Sequence, residues 1–482
     1  TKFLAQLEIL YRDGSSEKVF TDQSWSWSND GPIRFADNKD GEIVEAFRTP
    51  AYGGRAKATS HKVLPSASNN VTVAEREHFT PILTKAPNGR MLLDFGQNIA
   101  GYISLRVQAK KGQRLLFRFG ELLDQDGNLT QKNIQCSNKK VTTPLQKIEY
   151  VCQEGDNAYK TTFSVFGFRY AEVETDLILK PENVTAIAVY SDLEQTGYFE
   201  SSNELLNRFV DAVVWSAKGN SLDIPTDCPT RERHGWTGDA QIFFESANYL
   251  FDYAAFSKKY LRDVFDWQKK DGRLPQIAPY GGTDFYMWTM NGSVGWSDVG
   301  ILNPYRFWKM YGDRRILTEY YDRMKRYAQF MMRRCGKSGF MARPLGLKGE
   351  AGKYAVNTGQ SYGEWAEPAD VHPNDWKDMA APHPEVSTAY TSHVLGCMAE
   401  IAQELKHDED AAVFRRYSEG CRKAYQEMAE TAGYSLDTDR QARLPWPLLC
   451  WTESRLLTQG SGCSGPLRIT AGAWGRDSCP RR

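Results

Sequence analysis

The pattern of apolar and polar positions changes period near residue 200. Before it, short alternating runs at residues 102–109, 114–119 and 184–190 are punctuated by Gly, Asn and Asp turns. Alternation with period two puts every second side chain on one face, so these runs predict strands of a β-sandwich. From about Ser201 the period becomes helical, as at residues 205–217, 316–334 and 388–405. Long helices separated by aromatic and Gly/Pro-rich loops predict a helical domain whose loops carry the functional groups.

The boundaries follow from these shifts. Residues 1–61 read as the end of an N-terminal β-domain, because the chain opens at Thr1 directly on a strand-like run, residues 3–11, followed by the turn Asp13-Gly14. The stretch Pro65-Ser-Ala-Ser-Asn-Asn70 reads as a linker. Residues 71–195 form the sandwich, 201–444 the helical domain and 445–482 an aberrant tail. That tail holds no Lys, His, Met, Phe, Tyr, Val or Asn. So abrupt a change suggests a shift of reading frame, with a divergent but genuine C-terminus as the alternative.

Composition narrows the function classes. With 482 residues the chain exceeds one ordinary domain and can bury more than one core. Its 60 basic and 60 acidic residues balance, which leaves no net field to draw nucleic acid or an anionic membrane. No apolar run is long enough to span a bilayer. The nine cysteines are odd in number and scattered, without Cys-x-x-Cys pairs or His at zinc spacing, so neither a disulfide framework nor a metal site is expected. No cofactor is implied. The counts of 24 Tyr, 23 Phe and 13 Trp suit sugar stacking and large cores alike.

The chemistry concentrates in Asp223-Ile-Pro-Thr-Asp-Cys-Pro-Thr-Arg-Glu-Arg-His-Gly-Trp-Thr-Gly-Asp239. Pro225 and Pro229 forbid a helix across its first half, so Asp227 sits in an extended or turn conformation. Helical periodicity begins after Gly238, which places Asp239 at a helix mouth where the dipole favours a carboxylate. Glycoside hydrolysis needs one protonated carboxyl at the leaving oxygen and a second carboxylate that activates water or attacks the sugar. Asp227, Glu232 and Asp239 supply three candidates, and clustering of like charges is one way to keep one acid protonated. Trp236 offers an apolar wall, and Arg231 a grip on an acid or a hydroxyl. Residue types alone fit equally well a turn cap at Asp227, a helix cap at Asp239 and a solvated cluster at Arg231, Glu232 and Arg233. Cys228 lacks the context of a thiol nucleophile, with His234 six residues along an irregular loop, and reads as a packed structural cysteine.

The segment Asp227-Cys-Pro-Thr-Arg-Glu-Arg-His-Gly-Trp-Thr-Gly-Asp239 resembles the signature of the bacterial α-L-rhamnosidases of glycoside hydrolase family 78, inverting enzymes built on an (α/α)6 barrel. Further segments are similar to the same family. Leu93-Asp-Phe-Gly-Gln-Asn-Ile-Ala-Gly-Tyr102, Gly120-Glu-Leu-Leu-Asp-Gln-Asp-Gly127 and Phe166-Gly-Phe-Arg-Tyr170 resemble its concanavalin-like β-sandwich; Ser293-Val-Gly-Trp-Ser-Asp298 and Tyr362-Gly-Glu-Trp365 resemble later barrel motifs. The likeness runs to about Leu444. It implies a β-sandwich followed by a partial (α/α)6 barrel, with Glu232 as general acid and with Asp227 and Asp239 as acids that bind the rhamnose hydroxyls and support it. Arg231, Trp236, Trp296 and Trp365 would line the pocket. Where Glu364 stands, the family more often has Asp, which leaves that position without a role. The general base should follow in a Trp-Glu segment; Trp451-Thr-Glu453 does not match it, so no base is identified in this chain.

The reading is therefore an inverting glycoside hydrolase releasing terminal α-L-rhamnose from glycosides or polysaccharides. Two alternatives stand: a catalytically inactive sugar-binding or assembly protein, and an (α/α)6 hydrolase acting on another sugar. The aromatic loop Gln276-Ile-Ala-Pro-Tyr-Gly-Gly-Thr-Asp-Phe-Tyr-Met-Trp288 reads either as a sugar subsite or as an ordinary plug between helices. Compartment and oligomeric state have no signature in the sequence.

Overall fold

The computed structural model describes residues 3–60, 67, 71–136, 142–282, 289–339, 342, 344–347, 349–362 and 382–431. The chain divides into two units, the first formed by residues 1–68, 73–191 and 228–232, the second by residues 69–72, 192–227 and 233–482.

The first unit is built on a curled ten-stranded sheet. Its successive neighbours are Ile33–Asp37, Gly41–Glu45, Lys147–Val151, Arg114–Gly120, Phe166–Thr175, Met91–Ala109, Val184–Ser191 and Val73–Phe79. The first two strands, read from sequence within the tail of a preceding β-domain, hydrogen-bond into this same sheet. Met91–Ala109 is 19 residues long and changes partners along its length. Residues 91–94 lie between Ile82–Lys85 and Phe166–Thr175, whereas residues 104–109 pair with Gly155–Lys160 and residues 101–105 with Val184–Ser191. Strand twist combined with this change of partners curls the sheet around one core. Leu93, Ile103, Phe117, Phe119, Phe166 and Phe168 are buried there, and the Phe119 ring lies 4.9 Å from both Phe166 and Phe168. Each such ring contributes roughly 1.5–3 kcal/mol by leaving water.

The sequence motifs of this unit have local explanations. Asp94 takes the Arg169 guanidinium through two bonds of 2.8 and 2.9 Å, beside the register shift between Phe168 and Tyr170. Asp124 Oδ1 accepts the amides of Asp126 and Asn128, and Gly127, at φ 88°, completes that turn in a conformation that favours glycine.

The second unit is helical. Asn203 caps the Glu204–Gly219 helix by accepting the Leu206 amide at 3.2 Å. Val299–Tyr311 stops at Gly312, whose left-handed φ of 66° ends the helix, and Asp313 then accepts the Arg315 amide at the start of Arg315–Met332. Pro384–Glu404 and Asp408–Thr431 form a second hairpin through Leu405, Lys406 and His407. Phe307, Leu317, Met324, Tyr327, Leu395, Met398 and Phe414 from these four helices join one buried cluster. The i, i+3, i+4 apolar spacing that predicted helices is the spacing that presents these side chains on one face. The expected tail at residues 445–482 and the Pro65–Asn70 linker, apart from Ala67, lie outside the described residues.

Candidate active site

The acid-bearing segment is non-helical where the prolines require it, with Ile224–Pro225 paired to Ser221–Leu222, up to a short helix at Thr237–Ile242 that starts slightly earlier than the periodicity suggests. Asp227 Oδ1 accepts the His234 amide at 3.0 Å, and the Asp227 amide donates to the His234 carbonyl at 3.2 Å. These two bonds close a turn that carries Cys228 to Arg233. Arg233 stands at φ +58°, an uncommon conformation for a residue with a Cβ, and this lets the chain reverse. Inside the turn the Glu232 amide donates to Cys228 Sγ at 3.3 Å, and Cys228 is partly buried.

Residues 228–232 group with the sheet, whereas Asp227, Trp236, Asp239 and Trp296 group with the helices. The seat of residues 228–232 is Gly167. A Cβ there would come within 2.5 Å of Thr230 Cγ2 and 2.9 Å of Pro229 Cγ, so only glycine lets the turn approach this closely. Buried Gln146 fixes the same strand by donating to the Gly167 carbonyl at 3.0 Å and accepting its amide at 3.3 Å. Lys39 Nζ donates to the Arg231 carbonyl at 2.8 Å. With its backbone held in this way, the turn leaves the Arg231 side chain exposed and Glu232 partly so, their charges 3.6 Å apart. An exposed pair of this kind adds little stability.

Within the helical unit, residues 234–237 are clasped on two sides. Thr237 donates to the Gln276 carbonyl and Ala278 to the Gly235 carbonyl, both at 2.9 Å, and Trp236 bridges Ile277 in antiparallel fashion. The buried Tyr260 hydroxyl donates to the Gly235 carbonyl at 2.9 Å. Trp236 is therefore held by backbone bonds, with its ring partly exposed. Tyr362 lies with its ring centroid 6.2 Å from Trp236 and 4.5 Å from Trp296, joining the two tryptophans into one aromatic group. Its hydroxyl donates to Gln276 Oε1 at 2.5 Å. The Trp296 ring rests on Gly238, where a Cβ would come within 2.6 Å of it. Asp239 follows, exposed in the first turn of its helix.

Asp298, at the end of the Ser293-Val-Gly-Trp-Ser-Asp motif, is fully buried. It accepts the Gly295 amide and the Tyr327 hydroxyl, each at 2.7 Å. Burial pushes its carboxyl up to about 6, against those two hydrogen bonds and the Arg334 charge, which favour the ionised form. Out of reach of any solvent-borne substrate, Asp298 braces the start of Val299–Tyr311. Burial also lowers His393 to about 4, assisted by Arg306 and opposed by Glu400.

Of the residues singled out in the sequence, Trp236 and Trp296 are brought together, and Asp227 is tied to the turn that displays Arg231 and Glu232. Trp365 and Glu364 lie outside the described residues, as does Glu453. Tyr362 and Gln276 escaped selection, although both fall inside motifs that drew attention. Among the described residues no group of three or more His, Cys, Asp or Glu could hold a metal ion, and no helix is long and apolar enough to cross a membrane.

Comparison with known proteins identifies the family of both domains. A family model described as the bacterial α-L-rhamnosidase six-hairpin glycosidase domain matches residues 194–450, and one for the bacterial α-L-rhamnosidase concanavalin-like domain matches residues 84–190. An α-L-rhamnosidase of Streptomyces avermitilis is 30% identical over 440 residues, covering 88% of this chain and 39% of the relative; one from an Alteromonas species is 28% identical, covering 88% and 45%. The chain thus spans less than half the length of these curated relatives. Among solved structures, the α-L-rhamnosidase from Dictyoglumus thermophilum superposes with a TM-score of 0.73 at 27% identity, covering 88% of this chain and 46% of its own. The Streptomyces avermitilis enzyme complexed with L-rhamnose gives 0.73 at 28% identity, covering 88% and 39%. With a concanavalin-like β-domain followed by a six-hairpin glycosidase domain, the chain belongs to the bacterial α-L-rhamnosidase family.

Proposed function

We propose that this chain carries the core of an inverting α-L-rhamnosidase, with the sandwich at residues 71–195 and an (α/α)6 barrel begun at residues 201–444. The observation that carries the reading is the turn closed by Asp227 and His234, which displays Arg231 and Glu232 inside a segment matched by the rhamnosidase family model. In this reading Glu232 protonates the glycosidic oxygen as positive charge develops on the sugar ring. A water activated by a general base attacks from the opposite face. Asp227 and Asp239 bind hydroxyls of the rhamnose, Arg231 grips a further oxygen, and Trp236, Trp296 and Trp365 offer apolar faces to the ring. The solved relative with L-rhamnose bound supports that sugar as the ligand of this chain. The substrate is then a rhamnose-containing glycoside or polysaccharide.

Calorimetry with L-rhamnose, L-fucose and D-mannose tests the specificity. Heat of binding for L-rhamnose alone is the expected result; equal heats for all three sugars would remove the rhamnose assignment. With a rhamnosyl disaccharide as substrate, proton NMR of the first product formed should show the β-anomer of rhamnose, because inversion of an α-glycoside leaves β.

A further inference from the structure

The loop that braces Trp236 continues into a second aromatic feature. Trp267 ends the Ala254–Asp266 helix and Tyr280 lies in the loop beyond it, yet their ring centroids are 5.1 Å apart and their planes tilted by 46°. Both residues keep part of their surface in solvent, 39% exposed for Trp267 and 40% for Tyr280. Their position is set by the site loop. Residues 276–278 are hydrogen-bonded along residues 235–237, and Gly281, next to Tyr280, sits where a Cβ would come within 3.1 Å of His234 Nδ1. The pair is therefore continuous, through backbone pairing and close packing, with the segment that holds Trp236.

We propose that Trp267 and Tyr280 form a stacking platform for the sugar ring to which the terminal rhamnose is bonded. The inference rests on the rhamnosidase reading and extends it to the leaving half of the substrate. A pyranose has an apolar face of C–H bonds and a rim of hydroxyls, so it gains by covering an aromatic face while its rim stays wet, and Tyr and Trp suit such half-wet positions. The two tilted rings, with centroids 5.1 Å apart, offer adjoining aromatic faces to such a ring.

Titration calorimetry tests this in a Glu232→Gln background, so that substrate is not consumed. The ligands are L-rhamnose, an α-L-rhamnosyl-D-glucose disaccharide and p-nitrophenyl α-L-rhamnoside. Trp267→Ala and Tyr280→Ala should each weaken disaccharide binding about three- to tenfold, with L-rhamnose affinity held within about twofold, while Tyr280→Phe binds the disaccharide normally. Thermal melting of each variant confirms that the fold is kept. Disaccharide affinity unchanged in both alanine variants, with L-rhamnose still bound, overturns the platform. A parallel loss of L-rhamnose affinity overturns it as well, and so does a loss confined to the p-nitrophenyl glycoside, which would show that the pair takes an aryl group instead. If the parent protein binds no L-rhamnose, the failure lies with the rhamnosidase reading rather than with the platform.

Discussion

Asp227 and His234 hold each other by two backbone-directed bonds, 3.0 Å from the His234 amide to Asp227 Oδ1 and 3.2 Å from the Asp227 amide to the His234 carbonyl. The carboxylate proposed to bind rhamnose thus also closes the turn that presents Glu232. The two roles separate by substitution. Asp227→Asn keeps an oxygen for the His234 amide and loses the charge, so melting temperature should fall little while L-rhamnose binding drops; Asp227→Ala should lower both, with about 1 kcal/mol of stability lost. Equal melting temperatures for the two variants would show that the clasp contributes nothing.

Glu232→Gln separates acid assistance from binding. General acid catalysis is typically worth about a hundred- to ten-thousand-fold, so kcat on a natural rhamnosyl disaccharide should fall within that range. With p-nitrophenol as leaving group, which departs without protonation, the loss should be much smaller. A uniform loss on both substrates would move Glu232 from proton donor to binding group.

Gly167→Ala is a change within the sheet that should register at the acid. The added methyl meets Thr230 Cγ2 and Pro229, so the turn must lift. Overpacking of this kind costs about 1–3 kcal/mol. Near-unchanged far-UV circular dichroism with a lowered kcat and altered tryptic cleavage after Arg231 and Arg233 is the expected signature. Wild-type kcat would mean that the turn is not seated on Gly167.

Two buried groups give stability opposite dependences on pH. Asp298 titrates near 6 in the folded protein, above its ordinary value of 3.8, so the folded form binds the extra proton between those values. Its contribution therefore declines as pH rises from about 4 to 6, by up to roughly 1.4 kcal/mol per pH unit, and is level above that. His393 titrates near 4, below its ordinary 6.5, so its contribution is complete above 6.5 and is lost as pH falls towards 4. Urea midpoints measured across pH 4–7 should rise more steeply with pH in Asp298→Asn than in the parent, because the opposing term is gone. A parallel pair of curves would refute the assignment.

The sequence made visible what depends on neighbours along the chain. The period-two runs and the helical runs correspond to Arg114–Gly120, Val184–Ser191, Glu204–Gly219 and Arg315–Met332 within a few residues. Pro225 and Pro229 forbade a helix across the first half of residues 223–239, and none forms before Thr237. What depends on distant residues was not legible: that Gly167 is the seat of Thr230, that Tyr362 joins Trp236 to Trp296, and that helix packing seals Asp298 from water. Each relation joins segments about thirty to a hundred and thirty residues apart, and no periodicity encodes such a meeting. The aromatic run at residues 276–282 was ambiguous for the same reason, since a plug and a subsite share composition and differ only in what they touch.

Seating of Pro229 and Thr230 on Gly167 bears on how this architecture can be taken apart. A helical segment expressed alone would keep Arg231 and Glu232 in its covalent chain but lose the surface that shapes the five residues around them. Chimeras between family members should therefore inherit residues 228–232 from the same parent as the strand Phe166–Thr175, and crossovers that split this pair should yield soluble proteins with poor turnover. The shape of residues 228–232 is in this sense written into the β-sheet, so a change in that strand and a change in the turn are coupled.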